Sequence, residues 1–256
     1  MITRLVRGGL AAALAVTTLT VAAAVATAAP TAVATAVSGP NVTVTQAGNY
    51  PIFPVDNTSF SVTWKSTGTA DVTGVTRLTV DLPPGLTTTG ALMYSTPYDY
   101  TFTQTVSPDG RRLEAVFTGT RAPGRSDFMK VQVSSHGTRP SGVITVTAAN
   151  KNDADPSDNV SRYLLGSGLQ APVTPAVPAV TALAPSTGPA AGGTAVTITG
   201  TGLTNGFALF GNTPASGSCT DTACVVTAPA GSGTVPVTLV TPGGSAATPT
   251  AFTYTP

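Results

Sequence analysis

Pro185-Ser186-Thr187-Gly188-Pro189-Ala190-Ala191-Gly192-Gly193-Thr194-Ala195-Val196-Thr197-Ile198-Thr199-Gly200-Thr201-Gly202 decides how the rest of this chain is read. Gly188, Gly192 and Gly193 let the backbone fold back sharply, because glycine alone turns freely through positive φ. Thr194 to Thr199 then alternate small polar and apolar residues, so Val196 and Ile198 share one face of a strand. Gly200-Thr201-Gly202 ends it. A turn, a half-buried strand and a second turn predict a β-sheet unit rather than a helix.

The pattern continues on both sides. In the second half, strands are expected near Val180–Ala184, Thr194–Thr199, Phe207–Phe210, Cys224–Thr227, Thr234–Val240 and Ala251–Thr255. Pro236 inside the Thr234 run suggests an edge position, since proline cannot donate to a ladder. In the first half, Val42 and Val44 begin a short strand, and Phe60, Val62 and Trp64 alternate with polar residues. Further strands are expected at Val75–Leu82, Tyr98–Val106, Leu113–Thr118, Phe128–Val133, Val143–Ala148 and Val160–Leu165. Ser107-Pro108-Asp109-Gly110 supplies a hairpin turn. Regularly spaced strands without a helical period predict an all-β chain of two β-sandwiches in tandem. Residues 40–168 form the first and 180–256 the second, with a semi-extended linker over 169–179 that holds Pro172, Pro175 and Pro178.

Residues 1–36 read as a signal peptide and leader. Arg4 and Arg7 precede the apolar run Gly8–Ala26, and small-x-small sites follow at Ala26-Thr27-Ala28 and Ala34-Thr35-Ala36. The rival is an uncleaved membrane anchor, because roughly 20 apolar residues can cross a bilayer. The Ala and Thr content makes this run only weakly hydrophobic, which favours cleavage, no membrane span afterwards and an extracellular, secreted protein. Only 9% of residues are charged, and removing Arg4 and Arg7 from 12 basic residues leaves 10 against 11 acidic ones. Such a balance predicts neither nucleic acid nor an anionic membrane as partner. Cys219 and Cys224, the only cysteines, are expected to form a disulfide in an exported chain.

The second unit resembles the IPT/TIG family of immunoglobulin-like domains. The resemblance rests on Pro185-Ser186-Thr187-Gly188-Pro189, Gly192-Gly193-Thr194, Val196 to Gly200, Phe210-Gly211, Ala228-Pro229-Ala230-Gly231, Val237 to Val240, Gly244-Ser245 and Phe252-Thr253-Tyr254. The first unit resembles, less specifically, the conserved-repeat domain of bacterial surface proteins, a β-sandwich of unknown function. Its carriers are Ser66 to Ala70, Leu82-Pro83-Pro84-Gly85-Leu86 and the stretch Asn150 to Asn159. Together they imply a secreted bacterial protein with adhesion, interaction or spacer modules, whose partner is a protein or a cell-envelope glycan. Some IPT/TIG relatives bind DNA. From Ala171 to Pro256, however, there is no Lys or Arg, and Asp221 is the only charge. Phosphate contacts need cations, so that activity is excluded here.

Catalytic sets are missing from the sequence. His136 is the only histidine and lies in a turn-like Ser-His-Gly-Thr, with no nucleophile elbow and no metalloprotease motif. The reading is therefore non-enzymatic. Asp153, Asp155, Ser157 and Asn159 alternate as oxygen ligands do in the first half of a calcium loop. Asp158 replaces the turn glycine and Leu164 the closing glutamate, so turn capping competes with calcium as their role. Tyr94, Tyr98, Tyr100 and Phe102 form the densest aromatic group. If exposed, they are a ligand platform for sugar rings or a partner, which would suit a carbohydrate-binding accessory protein; if inward, they are core.

Overall fold

The computed structural model describes residues 37–47, 58–94 and 100–256; the leader and Tyr98 lie outside them. Ten strands build the first sandwich: β1 (Val42–Ala47), β2 (Thr58–Ser66), β3 (Val72–Asp81), β4 (Thr87–Tyr94), β5 (Tyr100–Val106), β6 (Arg112–Arg121), β7 (Ser126–Ser134), β8 (Val143–Asn150), β9 (Val160–Leu164) and β10 (Gly168–Leu169). They form a four-stranded sheet, β1-β2-β7-β4, facing a six-stranded sheet, β10-β9-β8-β3-β6-β5. The inward positions are the alternate residues that the sequence marks: Phe60, Val62 and Trp64 meet Leu78, Val80, Leu113 and Phe117 in one buried core. Trp64 packs 5.1 Å from Phe117, and the Arg121 guanidinium lies 4.2 Å over its ring. Arg121 is in turn salt-bridged to Asp127, so two buried charges neutralise each other.

Strand β4 is absent from the sequence-based expectation. Its Thr87-Thr88-Thr89-Gly90 start lacks apolar alternation, and the register shifts between Thr88 and Gly90 against β7. Such a bulge breaks the period on which strand recognition depends.

The second sandwich comprises β11 (Ala179–Ala184), β12 (Thr187–Pro189), β13 (Ala195–Thr201), β14 (Phe207–Phe210), β15 (Thr213–Pro214), β16 (Ser216–Cys219), β17 (Ala223–Thr227), β18 (Thr234–Val235), β19 (Val237–Thr241), β20 (Gly244–Ala247) and β21 (Phe252–Thr255). They form three sheets, β11-β13-β17-β16, β12-β21-β18 and β15-β14-β19-β20. The glycine-rich entry works as its sequence implies. Gly192 has φ +78°, and a Cβ there would lie 2.6 Å from the Ala230 nitrogen. The close approach lets the Gly193 amide donate to the Ala228 carbonyl at 2.9 Å, locking the turn to the end of β17. Val196 and Ile198 then point into a core with Phe210, Leu239 and Phe252. The Cys219–Cys224 disulfide closes the β16–β17 hairpin.

One expectation is corrected here. Thr234–Val240 is not one edge strand; the chain changes sheet at Pro236. Thr234–Val235 pairs with β21, whereas Val237–Thr241 runs centrally between β14 and β20. Proline has no N–H for a ladder, so the sheet breaks at that residue instead of being bounded by it.

Residues 36–256 form one compact unit, so the two sandwiches touch. The proline-bearing segment packs on the second sandwich: Pro178 is buried, and Gly202 and Gly243 approach the Ala176–Val177 backbone. A Cβ on Gly243 would sit 1.9 Å from the Ala176 oxygen, so any other residue would push the strap away.

Candidate functional site

The first sandwich has two outer faces with opposite fates. On the six-stranded sheet, register places Val75, Arg77, Thr79 and Asp81 of β3 beside Val116, Glu114 and Arg112 of β6. The second sandwich covers this face. Val75 and Ala149 pack with Phe207, Leu209 and Val240 in a separate buried cluster. The turn before β14 carries Asn205 at φ +60°, a conformation asparagine tolerates better than most residues. From that turn the Gly206 carbonyl accepts from Arg77 at 3.3 Å, and the Arg77 guanidinium lies 4.7 Å over the Phe207 ring. Arg112 donates to the Asn205 side-chain oxygen.

The charges on this face form a chain. Glu114 is 3.5 Å from Arg77 and 3.3 Å from Arg112, and Arg112 is 3.5 Å from Asp81. Burial lowers the Arg77 pKa, partly offset by Glu114. Burial likewise raises that of Asp81, against the opposing pull of Arg112. Two depressions flank the junction. One, of about 180 Å³, is lined in part by Asn205 and Asp221; the other, of about 550 Å³, by Lys151, Asn152 and Asn212.

The outer face of the four-stranded sheet has no such cover among the described residues. Its outward residues are Thr43 and Thr45 on β1, Ser59, Ser61, Thr63 and Lys65 on β2, Ser126, Phe128, Lys130 and Gln132 on β7, and Leu92 and Tyr94 on β4. Leu92 is 54% exposed, and Tyr94 and Phe128 are 40% exposed each. Tyr94 and Phe128 are direct cross-strand partners. Their rings stack with centroids 5.2 Å apart and planes 1° from parallel. The Lys130 ammonium lies 5.1 Å over the Tyr94 ring.

The aromatic residues singled out in the sequence are thus separated. Tyr94 closes β4 in the four-stranded sheet. Phe102, on β5 in the other sheet, is half-buried with its ring 5.2 Å from Phe117 in the core. Tyr100 opens β5. Phe128, the exposed partner of Tyr94, is not marked as a site residue by the sequence, because alternation alone cannot tell an outward aromatic from an inward one.

The acidic turn is a structural knot. Asp153 Oδ1 accepts from the Val42 amide at 3.2 Å and Oδ2 from Asn159 Nδ2 at 2.6 Å. Asp155 Oδ1 caps Ser157 through its amide at 3.1 Å and its hydroxyl at 2.6 Å. Asn41 donates to Asp158 Oδ2 at 3.0 Å, and Asn159 reaches the Pro242 carbonyl of the second sandwich at 2.9 Å. Burial, helped by the like charges of Asp153 and Asp155, raises the Asp158 pKa to about 6. Burial also raises that of Asp153. Among the described residues no three His, Cys, Asp or Glu side chains are grouped to hold a metal ion. His136 sits in an exposed turn at φ +50°, bonded to Thr87 Oγ1 at 2.8 Å.

Residues 178–254 match the family model of the IPT/TIG domain. The second sandwich is an IPT/TIG domain. It comprises strands β11 to β21, and its β14–β19 pair, which packs on the first sandwich, lies inside the match. No curated protein matches the chain. Among solved structures, the full extracellular region of plexin A4 covers 84% of this chain at 18% identity with a TM-score of 0.30, and the chain spans 18% of that protein's length. AvmM, which catalyses macrocyclization in alchivemycin A biosynthesis, covers 52% at 13% identity and a TM-score of 0.30, and 93% of it is spanned. The CBM3a-L domain of scaffoldin CipA from the Clostridium thermocellum cellulosome covers 52% at 17% identity and a TM-score of 0.23, with 89% of it spanned. Likenesses at this level carry no argument about activity. Among the described residues no helix is long and apolar enough to cross a membrane.

Proposed function

We propose that this chain is a secreted, non-catalytic bacterial protein that works at or near the cell surface as an interaction module. Its IPT/TIG domain is a rigid buttress and the open face of the first sandwich is its contact surface. One observation carries this reading: a stacked, half-exposed Tyr94–Phe128 pair with exposed Leu92 stands on the sheet face left uncovered. Tyrosine and phenylalanine held by a sheet contribute contact area at little entropic cost, as binding hot spots do. The disulfide and the immunoglobulin-like fold suit an oxidising compartment. The same pair also supports the carbohydrate-binding reading, now centred on Tyr94 and Phe128 rather than on the Tyr94–Phe102 stretch.

The test is binding of the purified chain to isolated bacterial cell envelopes. Retention that disappears in a Tyr94→Ala/Phe128→Ala double variant, while folding is kept, is the expected result. Retention unchanged by those substitutions, or catalytic turnover abolished by His136→Ala, would overturn the reading.

A further inference from the structure

We infer that the open outer face of β1-β2-β7-β4 binds an acidic polysaccharide. This rests on the interaction-module reading and names the ligand class of that surface. At an inter-strand spacing of about 4.8 Å, four strands offer a face about 14 Å across. Register lays its side chains in rows. Thr45, Thr63, Phe128 and Tyr94 form one row; Ser61, Lys130 and Leu92 form the next; Thr43, Lys65 and Ser126 lie on the other side.

Three features of these rows point to one chemistry. The aromatic ridge offers apolar surface to the C–H faces of a pyranose ring, and it is pre-formed by the stack, so little ordering is needed on binding. Ser61 and Ser126 in the flanking rows, with Thr45 and Thr63 in the aromatic row itself, present hydroxyls that exchange hydrogen bonds with sugar hydroxyls without demanding one register. The only charged side chains among the described outward residues of these strands are Lys65 and Lys130, in rows on either side of the aromatic one. Among the described residues no outward carboxylate on these strands opposes them, since Asp127 is buried in its pair with Arg121. Lys130 is held against the Tyr94 ring, beside the place where a stacked sugar would carry its acidic group. A face that is apolar at its centre, hydroxylated around it and cationic without acid is complementary to a hydroxyl-rich, negatively charged polymer. Two lysines without a single arginine are too sparse a set for a phosphate backbone.

Calorimetric titration of the full chain with polygalacturonate tests this, with neutral arabinoxylan and double-stranded DNA as parallel arms. Binding to polygalacturonate is expected to be at least about tenfold tighter than to either other polymer, and to weaken as salt rises. Tyr94→Ala and Phe128→Ala should each weaken it by on the order of tenfold. Lys65→Gln and Lys130→Gln should each weaken it by about two- to fivefold and flatten its salt dependence. Lys151→Gln, off this face, should leave it unchanged. The two lysine variants do not touch the core, so they remain decisive even if an aromatic variant loses stability. Equal binding of the neutral polymer, equal binding of DNA, indifference to the lysine variants, or no binding of polygalacturonate would each overturn the inference. Envelope retention that depends on Tyr94 and Phe128 without polygalacturonate binding would do so too, while leaving the interaction-module reading intact.

Discussion

The two outer faces of the first sandwich share a fold, a length of strand and a threonine-rich composition, yet their outward side chains meet different surroundings. On the six-stranded face Arg77, Glu114, Arg112 and Asp81 pair with one another under the Asn205–Phe207 turn. Among the described outward residues, the four-stranded face has two lysines, no carboxylate and a half-exposed aromatic pair. Side chains that complete each other belong to an internal contact. Lys65 and Lys130 meet no carboxylate among the described residues.

That contrast can be broken most forcefully at the covered face. Phe207→Ala removes a fully buried ring from the junction and leaves the Arg77 guanidinium without its aromatic cover. The expected loss is about 3–4 kcal/mol, read by urea denaturation, and the single transition should split in two as the sandwiches uncouple. If stability falls by less than about 1 kcal/mol, the junction is not a real core.

Cys219→Ser with Cys224→Ser should cost less. The bridge spans a sequence separation of 5, so the chain-entropy model gives about 2 kcal/mol. The loss should be confined to the IPT/TIG domain, as hydrogen exchange of β16 and β17 would show. Exchange accelerated equally in both sandwiches would contradict this.

A smaller effect, of opposite sign, is expected at Asp158. Its folded pKa of about 6 lies above the ordinary carboxylate value. The folded state therefore holds its proton where the unfolded state has released it. The associated stability is fully present below about pH 4 and is lost as pH rises through about 6. Asp158→Asn keeps an oxygen for Asn41 but removes the charge. It should raise stability at pH 7 by on the order of 1 kcal/mol, a figure discounted for solvent screening, and flatten the slope between about pH 4 and 6. An unchanged slope would show that the carboxylate is not strained by burial.

The smallest change belongs to the open face. Tyr94→Ala or Phe128→Ala breaks one exposed cross-strand pair, for which about 0.5–1 kcal/mol is expected. Thermal melts beside those of Phe207→Ala give the comparison directly: a ring whose loss hardly affects folding yet weakens binding about tenfold serves the partner rather than the fold.

How much of this was legible in the sequence follows from what alternation can and cannot encode. Val196 with Ile198, and Phe60 with Val62 and Trp64, could be placed inward because each sits in a clean period of two. Pro236 suggests an edge position in the sequence, and only tertiary pairing reveals that it marks a change of sheet instead. Phe207-Ala208-Leu209-Phe210 breaks alternation entirely. Such a run is what burial on both faces looks like, and β14 is buried at all four positions. Read in that light, the run was the one trace of the junction in the sequence. Tyr94 was harder, because its exposure depends on a bulge at Gly90 that shifts the register of β4.

The double burial of β14 and β19 has a consequence for how this protein can be inherited. A module that travels freely between genes must be finished on every side. This IPT/TIG domain is not, since Phe207, Leu209 and Val240 would be stripped of their cover if it were transplanted alone. It would reach a new host gene carrying an adhesive scar that invites self-association. Recombination can therefore keep the pair as a single heritable block, or repaint those three positions before the domain can be reused.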